Sequence, residues 1–368
     1  MFWQNLISLV LFSAITFSHA LYTGKKNWRK SPFTNINEAH RDICTEVASF
    51  TPNFCSSSAA QQYCNWLCDE RKNKDYLTCG RKLVKPKQKV YSRFAENLRR
   101  IMDVNARYRR VVGGVGSQEG EWPWQVSLRI NGTQWCGGSI LSSRFIMTAA
   151  HCFDEYITSM KPEDWHVYAG DHELRTKDLF EQQVKVKRVF FHDEYFLYLH
   201  QHRKGSWVTA DNDIAIMELA QPIDLQHEHR GQVCLPDNKQ PTRDGQYCHV
   251  IGWGHTSYKG KQPDHLMHAV VMTIPNKICN LEMAYNGTVK EKYLLCAGYK
   301  EGGIDACNYD SGGAMVCHTN GRWYAQGIVS SGFECATPNA YGLYTRVSQD
   351  KEWIIETLLK SAAPKPIY

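Results

Sequence analysis

The sequence predicts an all-β fold, either a barrel or a sandwich, that ends in one helix and follows a small cysteine-rich region. The strands are predicted by ten short apolar runs that turn residues separate, a spacing typical of sandwiches and barrels. Ser348 as N-cap, Asp350 and Glu352 in the first turn, and an apolar face from Trp353 to Leu359 predict the helix. The ten runs are WQVSLRI, GSILSSRFIMTAA, WHVYAG, QQVKVKRVFF, DIAIMEL, CHVIGWG, HAVVMTI, AMVCH, YAQGIVS and GLYTRV.

Composition places the chain among globular proteins. It has 368 residues, 43% of them hydrophobic, and a formal net charge of +6, which excludes the disordered and fibrous classes. After the N-terminus no segment is apolar over the length that a transmembrane helix needs. We therefore expect no membrane span, and we expect no nucleic-acid partner.

The stretch MFWQNLISLVLFSAITFSHA, residues 1–20, is predicted to be a signal peptide. Its apolar run is too short to cross a bilayer, and Ser18 and Ala20 are small residues at the two positions that signal peptidase recognises. A buried amphipathic helix is the alternative. The prediction is a secreted, extracellular protein whose mature chain begins at Leu21.

Fourteen cysteines fall into an upstream group of five and a downstream group of nine. In an oxidising compartment disulfides are their expected state. Because both groups are odd, complete pairing requires at least one bridge between them. Zinc binding by Cys64 and Cys68 is a competing interpretation, but no second matched pair supports it. The groups are Cys44, Cys55, Cys64, Cys68 and Cys79, then Cys136, Cys152, Cys234, Cys248, Cys279, Cys296, Cys307, Cys317 and Cys335.

A basic segment separates the cysteine-rich region from the strands. Residues 81–110 carry eleven Lys and Arg against two acidic residues, so we predict an exposed linker, with a short amphipathic helix between Phe94 and Met102. Such clustered cations could bind heparin-like polyanions; a merely solvated linker is the alternative. The predicted domains are 1–20 (signal peptide), 21–80 (cysteine-containing region), 81–110 (basic linker) and 111–368 (the unit that contains the strands).

Two glycosylation sequons occur, at Asn131-Gly-Thr133 and Asn286-Gly-Thr288. Both are also Asn-Gly pairs, which favour turns. The two interpretations are compatible.

Four motifs in a fixed order resemble those of the chymotrypsin-like (trypsin-family) serine proteases. The resemblance runs from about Val111 to Leu359 and implies two six-stranded antiparallel barrels, with the active site in the cleft between them. A division near residue 230 would place two of the catalytic residues on the first barrel and one on the second. The motifs are VVGG (111–114) after Arg110, TAAHC (148–152), DNDIA (211–215) and DSGG (310–313).

By this resemblance His151, Asp213 and Ser311 form a catalytic triad. A serine hydroxyl is a weak nucleophile at neutral pH, so a histidine must accept its proton and a buried carboxylate must orient that histidine. Singly, each residue has a purely structural explanation, but the joint occurrence in family order disfavours it. The backbone N–H groups of Tyr309 and Ser311 would form the oxyanion hole.

The resemblance also implies the disulfides of the protease unit. One cysteine, Cys234, is left over, and in relatives with a retained propeptide the matching cysteine bridges to that propeptide, as the odd numbers require. The sequence does not select its upstream partner. The implied bridges are Cys136–Cys152, Cys248–Cys317, Cys279–Cys296 and Cys307–Cys335.

Activation is expected to follow the family pattern. Cleavage after Arg110 would free the α-amine of Val111, which pairs with Asp310 and shapes the oxyanion hole and primary pocket. The chain as written would then be a zymogen. The sequence RYRR at 107–110 resembles the signal of furin-like convertases, with a trypsin-like activator or self-cleavage as the alternative.

Substrate specificity is predicted from the pocket residues. Asp305 matches the pocket-floor carboxylate of trypsin-like members, Gly332 and Gly342 match the two wall glycines, and Ser330 belongs to the same substrate-binding set. Ala306 stands where many relatives have a serine hydroxyl that could solvate an ammonium group. A guanidinium can instead bind a carboxylate with two N–H groups, so Arg should be preferred over Lys before the cut.

Three departures from the family pattern predict a narrow substrate range. Tyr309 replaces a glycine but keeps its backbone N–H, so we expect its side chain to obstruct the leaving-group side without abolishing catalysis. Ser331 replaces the usual tryptophan, and the loop FLYLHQHRKGSWVTADN after Tyr195 is longer than in relatives and would overhang the neighbouring subsites. A catalytically impaired homologue with a binding or regulatory role is the alternative.

No cofactor is required for this chemistry, and the predicted ion sites are secondary. Segment 171–181 has the length of the family's calcium loop, with Asp171, Asp178 and Glu181 as carboxylate ligands. Tyr341 stands where many members have proline and resembles the sodium-responsive branch. His200 and His202 could bind zinc, although exposed loop histidines without a ligand are commoner.

Overall fold

The all-β prediction is confirmed by the computed structural model, which describes residues 38–69, 77–82, 84, 113–202, 205–237 and 242–361. The strands are β1 (Val115–Gly116), β2 (Gln125–Ile130), β3 (Thr133–Ile140), β4 (Phe145–Thr148), β5 (Trp165–Ala169), β6 (Gln182–Phe191), β7 (Phe196–His202), β8 (Gly205–Asp211), β9 (Ala215–Leu219), β10 (Tyr247–Gly252), β11 (Met267–Ile274), β12 (Leu294–Ala297), β13 (Ala314–Thr319), β14 (Arg322–Ser331) and β15 (Gly342–Arg346). The helices are α1 (Glu38–Phe50), α2 (Ser58–Tyr63), α3 (Asn65–Asp69), α4 (Asn276–Cys279) and α5 (Val347–Ser361).

The first barrel closes from six antiparallel strands in the order β2-β3-β4-β9-β6-β5. Strand β5 shows why this sequence forms a barrel: Trp165, Val167 and Ala169 are buried, while His166 and Tyr168 between them are more exposed. Side chains alternate between the two faces of a strand, so the inward set fills the interior, as in other small barrels.

The second barrel follows the order β11-β10-β13-β14-β15-β12, and pairing of β11 with β12 closes it. Its buried core includes Val250, Val271, Leu295, Met315 and Tyr344. Strand β1 extends it by pairing with β11. The expectation of two six-stranded antiparallel barrels is therefore confirmed.

Helix α5 is present, but it begins at Val347, so Ser348 lies inside the helix rather than at its N-cap. Its buried residues include Ile354, Ile355, Leu358 and Leu359. Among the described residues no helix combines the length and hydrophobicity that crossing a bilayer requires.

The cysteine-rich region packs against the unit formed by the two barrels and helix α5. Bridges Cys44–Cys64 and Cys55–Cys68 hold α1 to α3 together, and Phe50 and Phe54 belong to the same buried cluster as Leu358 of α5. Glu352 of α5 accepts hydrogen bonds from the α2 N-terminus, among them one from Ala59 N at 2.8 Å.

A disulfide joins the cysteine-rich region to the unit that contains the two barrels. Cys234 is bridged to Cys79, which supplies the partner that the sequence left undetermined. Beside this bridge, Gly80 N donates to Gln232 O at 2.7 Å and Trp323 N donates to Gly80 O at 3.0 Å. The four bridges expected within the protease unit are also present.

The expectation of an exposed linker is wrong at Lys82. Its Nζ lies 3.2 Å from the centre of a Trp122 ring and 3.3 Å from Glu121 Oε1. Burial lowers the pKa of Lys82 to about 8, although Glu121 opposes this. The Lys82 ammonium group contacts an aromatic face and a carboxylate instead of water. The charge pattern of the surrounding sequence does not indicate these contacts. Residues 85–110, including the predicted helix, lie outside the described residues.

Candidate active site

His151 and Asp213 meet at the rim of the first barrel. His151 lies in the 3-10 helix Ala150–Cys152 after β4, and Asp213 lies between β8 and β9. His151 Nδ1 and Asp213 Oδ2 are 2.7 Å apart, and the backbone N–H of His151 donates to Asp213 Oδ1 at 2.9 Å. A carboxylate can only accept, so Nδ1 carries the proton and Nε2 is the basic atom. Burial disfavours the imidazolium, but the Asp213 carboxylate outweighs it and raises the pKa of His151.

Asp213 is fully buried and is held from the second barrel. Ser330 Oγ on β14 donates to its Oδ2 at 2.5 Å, and Thr345 Oγ1 on β15 donates to its carbonyl oxygen at 2.9 Å. Burial alone would raise the pKa of Asp213, but His151 and the Ser330 hydroxyl lower it. The orienting carboxylate therefore stays ionised and ties the two barrels together.

Ser311 lies in the turn that precedes β13. Its carbonyl oxygen accepts a hydrogen bond from Gly137 N of β3 at 2.8 Å. A Cβ at Gly312, where φ is +82°, would lie 2.1 Å from Thr148 Oγ1, so only glycine fits there. The turn is thus docked on the part of the first barrel that carries His151.

The residues that form the two barrels, the His–Asp pair and the serine turn also match a protein-family model. A comparison with protein-family models matches residues 111–354 to the model described as Trypsin. The chain belongs to the trypsin family. This trypsin-family protein is a serine protease of the chymotrypsin fold, with an added disulfide-rich N-terminal region, and its substrates are proteins.

The turn before Ser311 contains Tyr309 in a left-handed conformation, with φ at +75°. Gln134 Nε2 donates to Tyr309 O at 2.9 Å. The Tyr309 ring makes tilted contacts with the rings of Trp135 and His255, with centroids 6.3 Å and 5.0 Å away. Nothing in the sequence alone indicated these three contact residues. Gln134 and Trp135 precede Cys136, but nothing local indicates a contact with a residue 175 positions further along the chain.

Asp305 is buried at the position predicted for the pocket floor. Its Oδ2 accepts from Ala336 N at 3.2 Å, and its Oδ1 has no hydrogen-bond partner. Burial raises the pKa of Asp305 to about 8. A Cβ at Gly342 would lie 2.5 Å from Oδ1, whereas a Cβ at Gly332 would meet nothing nearer than 3.6 Å. Gly342 therefore leaves the space that the Asp305 carboxylate occupies, and any larger residue there would displace it.

Asp310 lies in a cradle made by backbone. Its Oδ1 accepts from Gly254 N at 2.7 Å and its Oδ2 from Cys307 N at 2.9 Å, while burial raises the pKa of Asp310 to about 6. A Cβ at Gly252 or Gly254 would lie 2.1 or 2.3 Å from this carboxylate, so both positions require glycine. Arg110 and Val111, the predicted activation residues, lie outside the described residues.

The long loop after Tyr195 forms a hairpin of β7 and β8. Trp207 packs edge-on against Tyr285 and Phe333, with ring centroids 6.0 and 6.2 Å apart. Phe333 directly follows Gly332, so the hairpin flanks the predicted pocket wall. Its other face exposes Leu197 and Leu199, which are 46% and 40% accessible.

Asp171, Asp178 and Glu181 do come together, with carboxylate oxygens within 4.8 Å of one another. However, the buried Arg129 guanidinium pairs with Asp171 Oδ2, and Asp178 Oδ2 accepts from the backbone N–H groups of His172 and Glu173. A calcium ion there would lie against a resident cation. These residues therefore fit calcium poorly.

The other secondary predictions have mixed outcomes. Asn131 and Asn286 lie in exposed turns with φ of +50° and +47°, which confirms the turn interpretation; their glycosylation stays a prediction. His200 Nε2 is 2.8 Å from Thr209 Oγ1, and among the described residues the three carboxylates around Asp171 are the one group arranged for a metal. Tyr341 is buried, and its carbonyl accepts a hydrogen bond from Tyr285.

Proposed function

We propose that the protein is a secreted serine endopeptidase that cleaves after Arg in preference to Lys and is made as a zymogen cleaved between Arg110 and Val111. The observation that carries this proposal is the His151–Asp213 pair, held from both barrels beside the Ser311 turn.

In the proposed reaction the Ser311 hydroxyl attacks the carbonyl carbon of the scissile bond, and His151 Nε2 accepts the hydroxyl proton. Asp213 keeps His151 in the right tautomer and stabilises its cation. The oxyanion is bound by the N–H groups of Tyr309 and Ser311. His151 then protonates the leaving amine, and a water molecule, activated in the same way, releases the acyl group from Ser311.

The proposed preference for Arg depends on Asp305. Asp305 Oδ1 has no hydrogen-bond partner, and Oδ2 accepts one hydrogen bond, from Ala336 N. The two oxygens can therefore accept two parallel hydrogen bonds from a guanidinium, a planar pair that a lysine ammonium cannot form. Ala306 adds no hydroxyl to compensate. The β7–β8 hairpin and the Tyr309 side chain would border the cleft on the two sides of the scissile bond. They would thereby narrow the range of accepted substrates further.

Secretion and activation complete the proposal. All fourteen cysteines are in disulfides, the state expected in an oxidising compartment. The new α-amine of Val111 would pair with Asp310, and a furin-like convertase suits the RYRR sequence before it. Val111 is the residue on which this step depends, and it lies outside the described part of the chain.

The test uses the two-chain form produced by cleavage after Arg110. We expect hydrolysis of peptidyl-arginine amides, slower hydrolysis of the lysine analogues, and labelling of Ser311 by a fluorophosphonate. Ser311→Ala should abolish both signals, and Asp305→Asn should abolish turnover but not labelling. A processed wild type that neither hydrolyses nor labels would overturn the proposal.

The alternative function, that of a catalytically impaired homologue, depends on Tyr309. The variant that tests it is Tyr309→Gly. If the side chain is only an obstruction, the glycine variant should bind a Kunitz-type inhibitor more tightly by a larger factor than it gains in turnover of a small arginyl amide. A thousandfold gain in turnover with unchanged inhibitor affinity would instead favour the impaired homologue, because loss of an oxyanion donor costs about a hundredfold to a thousandfold.

A further inference from the structure

Tyr309 holds a backbone conformation that its own side chain disfavours. A φ of +75° brings Cβ close to the backbone and suits glycine. In the proposed function the Tyr309 N–H is one of the two oxyanion donors, so an alternative backbone conformation here would misdirect that donor. Inside the turn, Asp310 N donates to Cys307 O at 2.9 Å, and contacts from outside the turn hold this conformation as well.

Two hydrogen bonds from outside the turn fix the peptide units on either side of Tyr309. The backbone N–H of His255 donates to Asn308 O at 2.9 Å. This carbonyl belongs to the peptide unit whose N–H is the Tyr309 donor, and in a trans peptide the two groups point in opposite directions. Gln134 Nε2 donates to Tyr309 O at 2.9 Å and thereby fixes the following peptide unit.

Gln134 is itself buried and oriented. It is 4% exposed, and its Oε1 accepts a hydrogen bond from Gln262 Nε2. Because the Tyr309 carbonyl can only accept, the Gln134 amide nitrogen must face it, and Oε1 is left to accept from Gln262. Tilted ring contacts of Tyr309 with Trp135 and His255 restrain the same residue through its side chain.

We propose that Gln134 is a positioning residue for the oxyanion hole, which locks the Tyr309 peptide in its left-handed conformation and compensates for the missing glycine. Gln262 orients Gln134 for this task. The proposal rests on the proposed proteolytic function. It implies that Gln134 and Tyr309 are energetically coupled, since glycine would adopt the same conformation without help.

Three single variants of the processed two-chain enzyme test the role. Gln134→Glu keeps the shape but removes the donor, and Gln134→Met removes all polarity. Gln182→Met is the matched control, because Gln182 Nε2 also donates to a backbone carbonyl, that of Pro222 at 3.1 Å, in the first barrel and outside the Ser311 turn. For both Gln134 variants we expect kcat on a peptidyl-arginine amide to fall by about tenfold to a hundredfold, a loss confined to transition-state stabilisation.

Two inhibitors separate positioning from general damage. A peptidyl-arginal, which forms a tetrahedral adduct with Ser311 and needs the oxyanion hole, should lose affinity in parallel with kcat. Benzamidine binds only the pocket and should keep its inhibition constant within about twofold, as should KM. If Gln134 had only a structural role, its replacement would lower kcat, weaken substrate binding and reduce the affinities for the arginal and for benzamidine together.

A double-mutant comparison decides whether the two residues are coupled. In a Tyr309→Gly background, Gln134→Met should cost less than about threefold in kcat, because glycine needs no external lock. An active wild type with unchanged kcat in Gln134→Met, or an equal loss in both backgrounds, overturns this inference and leaves the proposed function standing. An inactive, unlabelled wild type overturns both.

Discussion

At the scale of single residues, Asp305 links substrate binding to protonation. Burial raises the pKa of Asp305 to about 8. In the enzyme without a bound ligand, the Asp305 carboxyl is therefore largely protonated at neutral pH. A bound guanidinium favours the carboxylate. Ligand binding must therefore release a proton below pH 8, and affinity must rise with pH until the free carboxyl ionises unaided.

We expect the affinity of benzamidine for the two-chain enzyme to rise by up to about tenfold per pH unit between pH 6 and 8 and then to level off. Calorimetry at pH 7 in two buffers of different ionisation enthalpy should detect close to one released proton. Asp305→Asn should bind weakly at every pH, without proton release. A constant affinity from pH 6 to 9 would show that Asp305 is already ionised in the free enzyme.

At the scale of elements, the sequence predicted those strands and turns that are marked by alternating apolar and polar residues or by a local motif. Strand β5 was readable because its buried and exposed residues alternate, and the position of Ser311 was readable because its turn requires glycine at 312. The β7–β8 hairpin was predicted only as a long loop, since Trp207 is buried by contacts with Tyr285 and Phe333 of the second barrel. Contacts between distant segments leave no local pattern.

The loop 171–181 shows the same limit. Its carboxylates suggested calcium, but the cation that they meet is Arg129, which comes from β2. Arg129 is held on three sides: by Asp171, by Leu174 O at 3.2 Å from Nη1, and by Ser127 Oγ at 2.9 Å from Nε. Its guanidinium also lies 4.2 Å from the Tyr168 ring centre. We infer that Arg129 takes the structural place of an ion.

Calcium should therefore leave the melting temperature of the wild type within about 1 °C of its value in EDTA, because Arg129 already pairs with the buried Asp171 carboxylate that the ion would need. Arg129→Met should destabilise by about 3–5 kcal/mol, since it leaves a buried carboxylate without its partner, and calcium should partly restore that variant. Lys187→Met, which breaks a more exposed pair with Glu218, should cost less than about 1 kcal/mol. A rise of several degrees in the wild type with calcium would contradict this assignment.

At the scale of the whole molecule, the cysteine-rich region is bound by more than the Cys79–Cys234 bridge. Glu352 Oε1 accepts from Ser57 Oγ, Ser58 Oγ and Ala59 N at 3.1, 2.5 and 2.8 Å. Lys351 Nζ donates to Pro52 O at 2.9 Å. Burial would raise the pKa of Glu352, but the hydrogen bonds at the α2 N-terminus lower it. Its contribution to docking is thus present above the ordinary glutamate pKa and is lost as pH falls.

This geometry predicts that the region stays bound after cleavage at Arg110 even without the disulfide. In a Cys79→Ser/Cys234→Ser variant, size-exclusion chromatography at pH 7 should recover both chains in one peak, and the smaller chain should be released as the pH falls below the ordinary glutamate pKa. Adding Glu352→Ala leaves buried donors unpaired, at about 1–3 kcal/mol, and should weaken the complex about tenfold to a hundredfold. Glu356→Ala is the matched control, because Glu356 on the same helix pairs with the exposed Lys360. Separation of the chains at pH 7 with Glu352 intact, or equal weakening by Glu356→Ala, would show that the bridge alone holds the region in place.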